Sequence, residues 1–233
     1  MSDRMKIVLI YVTVAVVGAA VLGTSMWISK ARKERFRVKE VALAVGKDEP
    51  KVKLTLENDL QAVNQDGEEV KLSDLEDKVW LAAQFFASCP QCAKRNYEDL
   101  SKIYDEFGGE DGFHMVCITV DPEYDTVERL GEYSGALNAD SENWWFLTGD
   151  RDTVRRYLVD EMKFLEMEER TDPQEAAEKG KYRHDLGLEL YGPGMRLLKK
   201  VDLAYARTQT QADYNFAFGE LQRRIREALE ETR

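Results

Sequence analysis

One stretch constrains the fold of this chain more than any other, an apolar run that ends at two cysteines. Residues Val79–Phe86 carry no charge and include aromatic side chains at both ends of the run. Cys89 and Cys92 come next at i, i+3 spacing, and a polar segment typical of a helix runs from Ala93 to about Phe107. Strand, Cys-x-x-Cys and helix in this order are the layout of a thiol–disulfide site. The stretch therefore predicts an α/β core built around Cys89 and Cys92.

The N-terminus contains a second long apolar run. No charged residue occurs from Ile7 to Ile28, and a helix of this length spans about 33 Å, enough to cross the hydrocarbon core of a bilayer. A signal peptide cleaved near Gly18–Ala20 is the alternative, but the apolar run continues well past that point. We therefore predict a single transmembrane helix as the membrane anchor in residues 1–29 and a charged linker in residues 30–50.

Two arguments about the orientation of this anchor oppose each other. The basic residues between positions 30 and 39 would keep the C-terminal domain in the cytoplasm under the positive-inside rule. A single span behind a short N-terminal tail more often exports the domain attached to it, and large domains cross largely regardless of charge. An oxidisable cysteine pair also suits an oxidising compartment. We predict a single-pass protein whose soluble domain lies on the periplasmic, extracytoplasmic side of the membrane.

The charge of the chain is acidic overall, with a formal net charge of −11. Basic residues dominate the first 40 positions, so the acidic excess belongs to the remainder of the chain. An acidic domain does not resemble a nucleic-acid-binding protein, and we predict no nucleic-acid partner. A soluble surface is the simpler interpretation of this charge, and a basic protein partner is the alternative.

The order of predicted elements indicates the fold class. Besides the strand before the cysteines, we predict strands at Lys51–Leu60, His114–Val120, Asn143–Gly149, Leu186–Tyr191 and Arg196–Leu203, and helices at Glu123–Leu137, Asp152–Leu165 and Asp213–Glu231. The order βαβαβ and then ββα implies an α/β thioredoxin-like fold over residues 51–233, with a mixed central sheet flanked by helices. Residues 166–181 are highly charged and contain Pro173, which predicts a surface insertion.

The cysteine pair is predicted to stand at the N-terminus of a helix. Backbone N–H groups and the helix dipole stabilise a thiolate there. Cys89, on the loop side, is the candidate nucleophile, and Cys92, one turn into the helix, is the candidate resolving thiol. Pro90 suits the first helical position. A structural disulfide, a pair of core thiols and a zinc site are the alternatives, and zinc would need further ligands in a chain with one other cysteine and two histidines.

The chain has three further residues with a thiol or imidazole side chain. Cys117 lies in an apolar strand and is predicted to be a buried core thiol. His114 opens that strand and is predicted to be a partly buried or edge residue without chemistry. His184 precedes a late strand, and in a thioredoxin-like fold that loop lies against the cysteine pair. Two thiolates and an imidazole suit Cu(I) and accept Cu(II), although an ordinary surface histidine is the alternative.

Several motifs, taken in order, resemble the Sco/SenC family. They are Asn64–Gly67 with Val70–Leu75, Phe85–Pro90, Ile118–Thr126, Trp145–Gly149, and His184 eight residues before Gly192–Pro193. The element Val-Asp-Pro-x-x-Asp-Thr and the spacing from His to Gly-Pro are the most specific. The resemblance implies a membrane-anchored thioredoxin-fold copper protein of cytochrome c oxidase assembly. It also implies that Cys89, Cys92 and His184 bind one copper ion.

The cysteine spacing departs from this family, whose pair is usually Cys-x-x-x-Cys. The shorter Cys89-Pro90-Gln91-Cys92 has the spacing of thioredoxins, which favours disulfide exchange. The first hypothesis is copper delivery to a cytochrome c oxidase subunit. The second is a thiol–disulfide oxidoreductase that acts on the cysteines of exported proteins, and the third is an anchored scaffold with a vestigial site.

Overall fold

The computed structural model describes residues 54–88 and 97–233, together with the isolated positions Met5 and Thr24. The chain divides into two units, Met1–Leu43 and Ala44–Arg233, and all the β-strands of the described residues lie in the second. Apart from Met5 and Thr24, the predicted anchor and linker of residues 1–50 lie outside the described residues, as do Cys89 and Cys92. Among the described residues, no helix has the length and apolar character needed to span a bilayer.

A five-stranded mixed sheet forms the centre of the second unit. Its strands are β3 (Val79–Phe85), β4 (Phe113–Thr119), β5 (Trp144–Leu147), β8 (Leu188–Gly192) and β9 (Arg196–Val201), in the order β5-β4-β3-β8-β9. Strands β3, β4 and β5 are parallel, whereas β8 is antiparallel to both β3 and β9. Two small antiparallel pairs lie outside it: β1 (Gln61–Val63) with β2 (Glu69–Lys71), and β6 (Glu168–Glu169) with β7 (Tyr182–Arg183).

Helices connect and flank these strands. They are α1 (Tyr97–Phe107), α2 (Val127–Ala136), α3 (Arg151–Arg156), α4 (Pro173–Lys179), α5 (Leu203–Gln209) and α6 (Gln211–Glu231), with a 3-10 turn at Leu72–Leu75. Each residue of β3 and β4 is buried, which explains why both strands read as nearly continuous apolar runs rather than as alternating patterns.

Most predicted elements are confirmed, with shifted ends. The Asp66-Gly67 turn joins β1 to β2, and Gly67 takes a φ of 82° that favours glycine. The strand predicted at Lys51–Leu60 is wrong within residues 54–60, where Thr55 forms only an isolated bridge to Arg196. This pairing is set by β9, which is distant in sequence, so the local alternation of apolar residues could not define its extent.

The helix predicted at Asp152–Leu165 is shorter and less regular than expected. Helix α3 is followed by a π-helical turn at Tyr157–Glu161, and Lys163 then adopts a positive φ of 58°. The Tyr157 hydroxyl donates to the carbonyl of Asn58 at 2.9 Å, and Asn58 Nδ2 donates to the Glu161 carboxylate at 2.5 Å. These contacts with a distant segment accompany the change in helical pitch.

Residues 166–181 contain β6 and α4 and lead directly into β7. Asp172 caps α4 by accepting the backbone N–H of Glu175 at 2.9 Å. The Arg170 guanidinium donates to the carbonyls of Gly180, at 2.9 Å, and Tyr182. The two ends of this segment are therefore hydrogen-bonded to each other immediately before His184.

Candidate functional site

The carboxyl ends of three parallel strands define one edge of the sheet. Strands β3, β4 and β5 end there at Phe85, Thr119 and Leu147. The segment Phe86–Ser88 continues from β3 towards Cys89 and Cys92, which lie outside the described residues. Ligands and catalytic groups of open α/β sheets collect at this edge, so functional side chains are expected here.

Asp125 fixes the segment that leads to the cysteines. Its carboxylate is fully buried and accepts the backbone N–H of Ala87 at 3.1 and 3.2 Å, and it also accepts the Thr119 hydroxyl. Burial raises the pKa of Asp125 to about 6, although these hydrogen bonds oppose the shift. Asp125 thus holds the chain two residues before Cys89.

The loop that carries Asp125 is itself well anchored. Thr119 Oγ1 accepts the N–H of Asp121 at 3.0 Å, and the Asp121 carbonyl accepts the N–H groups of Tyr124 and Asp125 at 3.0 and 2.9 Å. This is the Val-Asp-Pro-x-x-Asp-Thr element. In the sequence this element is only a point of resemblance, whereas in the structure it presents a buried acceptor to the backbone N–H of Ala87, two residues before Cys89.

Arg155 is a second residue that sequence reasoning missed. Its guanidinium donates to the carbonyl of Val120 at 2.8 and 3.1 Å and lies 4.9 Å from the ring centre of Tyr182. Tyr182 meets Phe86 edge to face at 5.8 Å between ring centroids. Arg155 therefore ties the end of β4 to the segment just before His184, and no local pattern signals it because its partners are distant in sequence.

His184 lies against Phe86, three residues before Cys89. Its half-buried ring meets that of Phe86 edge to face, with 5.5 Å between the centroids. Its Nδ1 lies 2.8 Å from the carbonyl oxygen of Asp185. Because a carbonyl oxygen only accepts, Nδ1 carries the hydrogen, and the neutral ring has its lone pair on Nε2. Histidines that ligate metals are commonly held in this way.

The other two candidate residues are not part of this edge. Cys117 is buried as predicted, Trp144 Nε1 lies 3.4 Å from its sulfur, and burial raises the pKa of its thiol to about 12. The prediction that His114 is partly buried or at an edge is wrong, since its exposed fraction is 1%. Strand β4 lies between β3 and β5, and Trp145 packs on the His114 ring at 4.3 Å.

The burial of His114 also determines its charge. Both ring nitrogens lack hydrogen-bond partners within the described residues. Desolvation lowers the pKa of His114 to about 3, so its imidazole is neutral. His114 is a core residue and not a ligand.

Donor chemistry decides which metal the predicted set could hold. Within residues 54–88 and 97–233, no group of three or more His, Cys, Asp or Glu side chains is arranged to bind a metal ion. The predicted set combines His184, which the structure places, with Cys89 and Cys92, which it does not describe. Two thiolates and an imidazole with its lone pair on Nε2 fit copper.

The fold and its edge define an α/β protein of the thioredoxin-like class, as predicted. The sequence profile of the SCO1/SenC family matches residues 48–215, and the chain belongs to that family. A SCO1 protein homolog of Bacillus subtilis is 25% identical over 138 residues, which cover 58% of this chain and 68% of the relative.

Solved structures of the family share the fold. A SCO1/SenC family lipoprotein from Bacillus anthracis has a TM-score of 0.60 at 21% identity, covering 76% of this chain and 98% of that one. Yeast Sco1 with copper bound has a TM-score of 0.56 at 16% identity, covering 75% and 90% of the two chains. Arabidopsis thaliana ScoI with copper bound has a TM-score of 0.57 at 18% identity, covering 74% and 99%.

Proposed function

We propose that this chain binds copper through Cys89, Cys92 and His184 and serves the assembly of cytochrome c oxidase, with copper as its cargo. In this proposal residues 1–29 anchor the chain in a membrane and the domain acts on the extracytoplasmic side. The partner is an oxidase subunit that receives the metal. No nucleic acid takes part.

The position of His184 carries the proposal. Its ring contacts that of Phe86, which lies three residues before Cys89 in the chain. The carbonyl of Asp185 holds Nδ1 at 2.8 Å, which leaves Nε2 as the nitrogen that coordinates a metal in the neutral ring. An ordinary surface histidine would need neither the aromatic contact nor this fixed tautomer.

Related structures support the same function. Yeast Sco1, Arabidopsis thaliana ScoI and Bradyrhizobium japonicum ScoI were each solved with copper bound. Another related structure is BsSco, a member of the Sco family of cytochrome c oxidase assembly proteins in which a disulfide switch was identified. Copper is therefore the first metal ion to test as the cargo of this chain.

Each residue has a separate task in this proposal. Cys89 and Cys92 supply thiolates, which a helix N-terminus favours, and His184 supplies the third donor. Bound copper would supply the metal that the oxidase requires. Asp125 keeps Ala87, and with it the start of the cysteine segment, in place through the hydrogen bonds to the Ala87 N–H.

Copper titration of the reduced, full-length protein tests the proposal. We expect one copper ion per chain in the wild type and in Cys117→Ala, which removes a buried thiol outside the site. His184→Ala should weaken binding by more than about tenfold, the lower range for losing an outer-shell partner, and Cys89→Ser with Cys92→Ser should abolish it. Absence of stoichiometric binding in the wild type, or unchanged affinity in His184→Ala, would refute the proposal.

The thiol–disulfide oxidoreductase hypothesis is the weaker one. It rests on the i, i+3 spacing of Cys89 and Cys92, and the family relationship does not favour it over copper delivery. The two roles are chemically compatible, because thiols that take up copper must first be reduced.

A further inference from the structure

A polar network of three buried side chains and one partly exposed lysine lies next to His184. It consists of Gln84 on β3, Asp185 in the loop before β8, Glu189 on β8 and Lys200 on β9, and we call it the Asp185 network. Gln84, Asp185 and Glu189 are exposed by 1%, 7% and 1%. Polar side chains in such positions are costly unless their hydrogen bonds are satisfied, so their presence requires an explanation.

Asp185 is the centre of this network. One carboxylate oxygen accepts the N–H of Gly187 at 2.8 Å, and the other accepts the N–H of Leu165 and the ammonium of Lys200, each at 3.1 Å. The backbone carbonyl of Asp185 holds the Nδ1 of His184. Asp185 therefore joins His184 to two segments and to the edge strand β9.

Lys200 supplies the positive charge that two buried carboxylates require. Its ammonium lies 2.8 Å from Glu189 and 3.1 Å from Asp185, and Tyr191 donates its hydroxyl to Glu189 at 2.6 Å. The Lys200 side chain is 36% exposed, and ion pairs with a partly exposed member contribute little to stability. Fully buried pairs often contribute less than apolar residues of the same volume would. A role in fixing one arrangement of the loop explains the network better than a role in stability.

Gln84 connects the loop to the strand that leads to the cysteines. Its Oε1 accepts the backbone N–H of Asp185 at 3.1 Å, across 101 positions of sequence. Its Nε2 is buried and lacks a hydrogen-bond partner within the described residues. An apolar side chain would suit a central strand better than an amide that is only half satisfied. The hydrogen bond to Asp185 is thus what Gln84 provides.

We propose that Gln84 and Asp185 are positioning residues that hold His184 in its Nδ1–H tautomer, turned towards the segment that carries Cys89. The bond from Gln84 fixes the His184–Asp185 peptide, and the carboxylate bonds fix Asp185 itself, so the carbonyl that meets Nδ1 keeps its place. The consequence for copper rests on the proposed function, whereas the effect on the imidazole belongs to the metal-free protein.

Side-chain nitrogen NMR of the metal-free, full-length protein tests this proposal. The chain has two histidines, so two rings give signals. Buried, neutral His114 serves as the internal reference. At about pH 8.5, where an ordinary imidazole is neutral, we expect the wild-type His184 ring to be a single Nδ1–H tautomer.

Three variants separate positioning from simple stability. Gln84→Met keeps the volume but removes the acceptor, and should give a mixture of His184 tautomers with copper affinity at least about tenfold weaker. Gln84→Glu keeps an acceptor oxygen and should restore the single tautomer. Lys199→Met is the control, because Lys199 is a buried lysine next to Lys200 that pairs instead with Glu220 on α6.

The tautomer of His184 in the metal-free protein tests this proposal independently of copper binding. A single Nδ1–H tautomer in folded Gln84→Met would overturn it, as would an equal loss of that tautomer in Lys199→Met. If the wild type binds no copper but Gln84→Met still loses the tautomer, the positioning role stands and the proposed function fails. Circular dichroism of each variant establishes that the chain is folded.

Discussion

At the scale of single residues, the site depends on buried groups whose environment changes their chemistry. Asp125 and Cys117 are both removed from water, and burial raises both pKa values. The consequences differ because Asp125 is held by hydrogen bonds next to the cysteine segment, whereas Cys117 lies in the centre of the sheet. Asp125 therefore positions the backbone at Ala87, which leads to Cys89, and Cys117 is inert.

Asp125 should make stability depend on pH. Its pKa is about 6 in the folded protein, above the value of an ordinary aspartate, so the folded state holds this proton more tightly than the unfolded state does. The resulting stability is present below about pH 4 and is lost as pH rises through about 6, by an amount on the order of 3 kcal/mol.

Urea unfolding from about pH 4 to 7 measures this dependence. Asp125→Asn keeps an acceptor oxygen and does not titrate, so its free energy of unfolding should change less across the range than that of the wild type. Other carboxyl groups titrate equally in both proteins, and the difference between the two curves isolates Asp125. Parallel curves would show that Asp125 ionises normally.

Cys117 should resist alkylation in the native, reduced protein. Its thiol is buried and its pKa is about 12, so almost no thiolate is present near pH 7. Mass spectrometry after brief iodoacetamide treatment should find label on Cys89 and Cys92 and none on Cys117. Labelling in denaturant provides the control, because all three cysteines should then react.

At the scale of elements, the sequence predicted those segments whose patterns are set locally. Strands β3 and β4 appear as apolar runs, and α6 appears through apolar residues at helical spacing. The π-helical turn at Tyr157–Glu161 and the single bridge at Thr55 depend on partners far away in the chain, and they could not be predicted. Helix α5 was missed for a related reason, since its short pattern begins at the cap Asp202 directly after β9.

Helices α1, α5 and α6 are joined by one buried carboxylate. Asp99 on α1 accepts from Arg207 on α5 and from the Tyr214 hydroxyl on α6, each at 2.6 Å. Arg207→Met leaves Asp99 buried without its cation and should lower the free energy of unfolding by about 2 kcal/mol, reduced from a fully buried pair because Arg207 is partly exposed.

An exposed ion pair between α1 and α6 gives the matched control for this prediction. Arg226 pairs with Glu106, and its side chain is 53% exposed. Arg226→Met should therefore cost less than about 1 kcal/mol in the same urea unfolding experiment. Equal losses in the two variants would mean that burial of Asp99 does not determine the cost.

At the scale of the whole molecule, the sequence predicted the fold class but not the long-range contacts that support the candidate site. The thioredoxin-like order of strands and helices could be inferred from patterns along the chain. The resemblance made His184 a candidate ligand through its spacing to Gly192–Pro193, and that assignment stays a prediction. The contacts of Asp125 with Ala87 and of Gln84 with Asp185 join segments that are far apart. Such pairs are determined by the packing of the sheet, so no local pattern signals them.

The predicted anchor implies firm membrane association of the full-length protein. If the apolar run Ile7–Ile28 spans a bilayer, the wild type should remain in the membrane fraction after high salt and alkaline carbonate. A chain without residues 1–29 should move to the supernatant under the same conditions. Release of the full-length protein by salt alone would instead indicate that charge holds it to the surface.

The position of β8 beside β3 has a consequence for the order of events in folding. Gln84 and Asp185 meet across 101 positions, and β3 gains its second neighbour only when β8 joins the sheet. Contacts between such distant segments form slowly, because a long loop must close first. The nascent chain therefore contains Cys89 and Cys92 long before His184, the third residue of the proposed copper site, is in place. A metal ion that needs all three donors can be retained only after β8 and the loop before it have joined the sheet.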